Sequence, residues 1–165
     1  MPANHSFDIV SEINFQETDN AVNQAIKEIN QRYDLKDSNT IIELNKKEKQ
    51  IVITTKDDYS RKQTIDILQS KFIKRNIALK AMKYQEPESA ASGRLKQIIN
   101  LQNGISKENG KLIIKLIKES RLKINSQIQD EQVRVSASKI DDLQLIIKLI
   151  KEADFNFPVQ FTNYK

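Results

Sequence analysis

The side chains best placed to do chemistry are two adjacent carboxylate pairs, Asp57–Asp58 and Asp141–Asp142. Paired acids can share a proton or grip a cation, but each pair stands where a helix is expected to start. There Asp satisfies free amides and complements the helix dipole, so capping accounts for both pairs. No spacing of the EF-hand kind brings further oxygens together, and no metal site is expected. His5 is the only histidine and lies at the chain's beginning, which gives an imidazole base or ligand no rigid footing. The chain has no Cys, which removes thiolate chemistry and disulfides. Its three glycines, Gly93, Gly104 and Gly110, match neither the P-loop spacing nor the dinucleotide fingerprint. No catalytic residue and no cofactor is therefore expected.

What remains is a set of cations and amides suited to binding. If Ile124 and Ile128 face a core, strand alternation turns Lys123, Asn125, Gln127 and Gln129 the other way, with Lys96 and Arg134 expected on neighbouring strands. Such a face can pair Lys and Arg with phosphates while amides meet base edges. The central strands carry no exposed aromatics of the kind an RNA-recognition sheet uses, which leaves Tyr84 and Tyr164 as the candidate stackers. A further basic stripe, Lys111, Lys115, Lys118, Lys148 and Lys151, falls on outer helix faces, where solvation explains it.

The elements that must position these residues fall into two successive β-α-β-β-α-β passes. In the first, Phe7, Ile9 and Ile13 alternate with Asp8, Val10 and Glu12. Asn14 and Glu17 then offer a capping box for a helix carrying Val22, Ala25, Ile26, Ile29 and Tyr33. Strands 40–45 and 50–55 flank a charged hairpin loop. A second helix opens at Asp57 and Asp58 and buries Ile65, Leu68 and Phe72, and a strand over 78–84 closes the pass. The small, polar stretch 85–93 reads as a connecting loop and gives expected domains of 1–90 and 91–165. The second pass holds strand 95–101, a helix capped by Ser106, strands 123–129 and 132–137, a helix capped by Ser138, and a strand from Val159. Right-handed crossovers put both helices of a pass on one sheet face. Residues 113–119 and 146–152 share the string Ile-Ile-Lys-Leu-Ile-Lys-Glu, as expected of two helices covering the same sheet.

The chain has 165 residues, 38% hydrophobic, which allows two compact units of about 80 residues. No apolar run reaches membrane-spanning length. Met1–Ser6 lacks the basic patch and apolar stretch of a secretory leader, so a cytoplasmic protein with no membrane partner is expected. The net charge is +5; through Ala90 there are 14 Lys+Arg against 14 Asp+Glu, and from Ala91 onward 13 against 8. The second domain is thus expected to be the basic one.

Several strings in order, Ser6–Glu12, Ile42–Asn45, Lys74–Arg75, Lys115–Lys118, Gln127–Gln129, Val133–Val135, Asp141–Gln144 and Pro158–Tyr164, resemble the YajQ family over nearly the whole chain. The resemblance implies an α+β fold of two ferredoxin-like βαββαβ domains, each a four-stranded antiparallel sheet with two helices on one face. It also implies first strands swapped between domains, so that Phe7–Ile13 completes the second sheet and Leu95–Leu101 the first. It implies a nucleotide-binding protein whose ligand is GTP, cyclic di-GMP, RNA or tRNA. After Tyr33–Asp34 the family pattern Phe-Arg-Gly is replaced by Leu35–Lys36–Asp37, which would cost a guanidinium, an aromatic and a glycine. The expected nucleotide-binding residues are Lys96, Lys123, Gln127 and Arg134, then Arg32, Lys36, Lys74 and Arg75, and finally Asn163 and Tyr164. The alternative reading is a protein-interaction adaptor that serves a transcription regulator through its basic helices.

Overall fold

A computed structural model describes residues 5–165; the part of the leader reading that concerns residues 1–4 lies outside them. In chain order the elements are β1 (His5–Val10), α1 (Phe15–Gln31), β2 (Ile41–Asn45), β3 (Gln50–Thr55), α2 (Asp58–Lys74), β4 (Met82–Tyr84), β5 (Glu88–Ser89) and β6 (Leu95–Leu101). They continue with α3 (Lys107–Glu119), β7 (Asn125–Gln129), β8 (Gln132–Ala137), α4 (Ile140–Glu152) and β9 (Gln160–Thr162). Two antiparallel sheets form, in an α+β arrangement with four helices among the described residues.

The first compact unit spans 13–102. Its sheet runs β2-β3-β6-β4, with β5 adding two residues beside β6. The Gln85–Gly93 stretch lies inside this unit. Ile42, Ile51, Ile53 and Ile99 on the sheet pack with Ala21, Val22, Ala25 and Ile29 of α1 and Ile67, Leu68 and Phe72 of α2. Both helices open on side-chain caps, Asn14 accepting from the Glu17 amide and Asp57 from the Ser60 amide. The Asn14–Glu17 pair is only half a capping box, because the Glu17 carboxylate bonds Asn20 and Arg75 instead.

Two expectations in this unit are corrected. Helix α1 ends at Gln31, so Tyr33 is not on its apolar face: it is 89% exposed, and Leu35, 1% exposed, fills the core in its place. Residues 79–81 form a 3-10 turn that buries Ala81, so the closing strand is only Met82–Tyr84.

Of the described residues, the second unit comprises 5–12 together with 103–165. Its sheet runs β7-β8-β1-β9, and β1 pairs antiparallel with both β8 and β9. Phe7, Ile9, Val133 and Val135 pack with Ile113 and Ile117 of α3 and Ile146 and Ile150 of α4. The shared seven-residue string therefore does the same job twice. The β7–β8 turn has Asp130 at φ +55°, the left-handed conformation that a tight hairpin demands and that glycine usually fills. Strand β7 begins at Asn125 rather than at Lys123, because Arg121 at φ +60° and a turn from Leu122 to Ile124 delay it. Helix α4 is not capped by Ser138; Lys139 occupies the N-cap with no side-chain bond.

Assigning strands to sheets also relocates the charge. The 13–102 unit holds 16 Lys+Arg against 12 Asp+Glu, and the other unit 11 against 10. The C-terminal half is basic along the chain, but folding gives Arg94 and Lys96 to the 13–102 unit and Asp8 and Glu12 to its counterpart. Counted by compact unit, the excess is thus larger in 13–102 than in its counterpart.

Candidate nucleotide-binding surface

On the sheet β7-β8-β1-β9, Phe7 and Ile9 of β1 face the core, so Asp8 lies on the opposite face. Across that face the register sets Gln127 beside Arg134 and Arg134 beside Asp8, with Thr162 beyond. Arg134 grips Asp8 through two donors, Nε to Oδ1 at 2.9 Å and Nη2 to Oδ2 at 3.3 Å. The Asn163 amide donates to the same Oδ2 at 2.9 Å. Asp8 is 3% exposed, and the Arg134 hydrogen bond holds its carboxyl below the usual carboxylate range. The same bond raises the Arg134 pKa. The pair is therefore ionised at neutral pH, with little net charge.

Beside it lies an open pocket of about 440 Å³ lined by Asn125, Ser126, Gln127, Arg134 and Ser136. A guanidinium anchored on a buried carboxylate keeps a fixed orientation, and Nη1 has no protein partner among the described residues. Its free N–H groups, the Asn125 and Gln127 amides and the Ser136 hydroxyl share this face and can offer hydrogen bonds together.

The other expected residues scatter. Lys96 stands on β6, opposite Thr54 and Glu88, and so is not on the sheet that carries Arg134. Lys123 is exposed two residues before β7 and does not line the pocket. Tyr164 turns to the helix side, with its ring centroid 6.0 Å from that of core-facing Phe7.

In the 13–102 unit Arg32 is bidentate on Asp34, at 2.6 and 3.0 Å, and also bonds Gln63, while the Tyr59 hydroxyl donates to Asp34 at 2.5 Å. The Arg32 bond and then that of Tyr59 hold the Asp34 carboxyl below its ordinary value. Lys36 sits 5.3 Å from the Tyr33 ring centroid. Arg75 pairs with Glu17 at 3.0 Å, whereas exposed Lys74 has no partner among the described residues. Two of the four first-domain cations, Arg32 and Arg75, are thus already paired with carboxylates. Because position 35 is a core site, the Leu35 departure changes packing rather than a stacking surface.

Sequence reasoning missed Asp8 as a site residue. Its outward phase on β1 was legible, but the strand across from it was not.

A family model described as nucleotide-binding protein YajQ-like matches residues 5–165. The chain belongs to the YajQ family. Among similar relatives, a "Nucleotide-binding protein" of Carboxydothermus hydrogenoformans is 52% identical over the full length of both chains. One of Geotalea daltonii is 52% identical over 97% of this chain and 98% of its own, and one of Chloroherpeton thalassium 44% identical over all of both. YajQ relatives are named for binding, and none of these three names states a reaction. Among the described residues no helix is long and apolar enough to cross a membrane, and no acidic, His or Cys cluster could hold a metal.

Proposed function

We propose that this protein binds a nucleotide on the outer face of β7-β8-β1-β9, without catalysing a reaction, in the cytoplasm. The observation that carries the reading is the Arg134 guanidinium, fixed by Asp8, which Asn163 also holds, at the edge of an amide-lined pocket. Because Asp8 neutralises it, Arg134 works as an oriented fork of donors more than as a charge. Such a fork suits paired acceptors on a base edge, or one phosphate, with Gln127 and Asn125 completing the contacts. Strand pairing supports two ferredoxin-like domains that exchange first strands, and in that topology the exchange is what brings Asp8 to Arg134.

The near balance of charge in this unit favours a compact ligand, GTP or cyclic di-GMP, over RNA on this face. An RNA or tRNA partner would find more cations on the 13–102 unit. The test is titration with GTP, cyclic di-GMP and tRNA at two salt concentrations, with wild type and Arg134→Ala. For a mononucleotide or cyclic dinucleotide, log K should fall with log salt at a slope of about −1 to −2, consistent with one or two phosphate contacts, and the variant should bind at least tenfold more weakly. Equal affinity of the variant for every ligand rejects the site. No binding of any of the three favours the adaptor reading, with a transcription regulator as partner.

A further inference from the structure

On the helix side of the same sheet, the C-terminal strand builds a second feature. Asp8 pairs with Thr162, and two residues back along β1 Ser6 exchanges both backbone bonds with Lys165, at 3.1 and 2.9 Å. Two steps on β1 thus oppose three on the last strand, which is a β-bulge. Asn163 holds it at φ +57°, a conformation that asparagine tolerates better than most residues. The bulge splits two neighbours between the sheet faces. Asn163 reaches Asp8 on one side, and Tyr164 turns to the other, its ring inclined 35° to that of Phe7. Phe7 also meets Phe161 edge to face, at 5.7 Å.

Tyr164 is 64% exposed, and its ring borders a pocket of about 320 Å³ whose opposite wall is α4. Phe7, Leu143 and Ile147 line it, Ile140 stands at its rim 52% exposed, and Gln144 supplies an amide. Gln144 has no hydrogen-bond partner among the described residues. The volume lies at the lower end of the range for ligand cavities, roughly 300–1,000 Å³, too small to enclose a dinucleotide. An aromatic wall on an exposed tyrosine favours a flat partner stacked on it, and the Gln144 amide, with His5, Ser6 and Lys165 also on the lining, favours a polar edge on that partner.

We propose that this pocket binds a planar heteroaromatic molecule of one or two rings, stacked on Tyr164 with its polar edge at Gln144. The site is separate from the Arg134 surface and stands whether or not that surface binds a nucleotide.

The test is a ¹H–¹⁵N NMR titration of the full chain with quinazolin-4-one, a flat bicycle with an amide edge, and with cyclohexanecarboxamide, which keeps the amide on a puckered ring. The flat probe should give saturable shifts centred on the amides of Ser6, Phe7, Gln144 and Ile147, and the puckered one should bind at least tenfold more weakly. Tyr164→Ala should weaken the flat probe about tenfold, the usual order for one lost aromatic stack. Ile140→Trp, at an exposed rim position that spares the core, should block it. No saturation at millimolar probe, equal binding of the puckered ring, or wild-type affinity in either variant overturns the proposal.

Discussion

Asp8 gives the clearest consequence at the scale of a single residue. Its pKa is lowered in the folded chain, so its stabilising contribution is complete above the ordinary carboxylate value near pH 4 and is lost as pH falls through the lower folded value. Asp34, Asp57 and Asp58 are shifted the same way and contribute in the same window. Urea midpoints should therefore be level between pH 5 and 7 and decline below about pH 4, and Asp8→Asn should flatten part of that decline. At pH 7 the same substitution should cost about 1.5–3 kcal/mol, the order for hydrogen bonds to a buried charged group. Urea unfolding of both proteins from pH 3 to 7 measures both effects, and an unchanged acid limb in the variant would contradict the assignment. Asp8 itself was legible as an outward residue of an alternating strand. Its ion pair was not, because residues 126 positions apart carry no local signal of each other.

Backbone conformation decides matters at the scale of elements. The β7–β8 turn sets Asp130 at φ +55°, so Asp130→Gly should raise stability by about 0.5–1 kcal/mol. Gly104 is the opposite case. Its φ is +98°, and a Cβ there would lie 2.7 Å from the Glu131 carboxylate, so Gly104→Ala should destabilise. Paired denaturation curves with shifts of opposite sign check both. Helices were the most readable elements, because apolar spacing and the cap candidates Asn14, Asp57 and Ser106 agree. Where two cues competed, the sequence misled: Tyr33 continued the helical spacing of α1, but the chain leaves the helix at Arg32 and buries Leu35. Likewise Ser138 is a good capping type one residue too early, with Lys139 at the cap. The bulge at Asn163 left no trace in periodicity, since the strand it distorts is three residues long.

For the whole molecule, the lesson is that charge read along a chain is not charge read on a surface. Lys96 belongs by sequence to the basic second half and by sheet pairing to the 13–102 unit, and Arg94 falls in the same unit. The two-pass α+β organisation was plain from element order, whereas sheet membership depends on pairings that periodicity does not encode. An oriented guanidinium, rather than accumulated positive charge, is therefore what the proposed site offers a ligand. The most direct measurement compares nucleotide affinity in wild type, Arg134→Ala and Arg134→Lys by calorimetry at fixed salt. If the fork anchored on Asp8 does the binding, lysine should lose nearly as much affinity as alanine, tenfold or more. Recovery of wild-type affinity by lysine would mean that charge alone suffices, and would contradict the account.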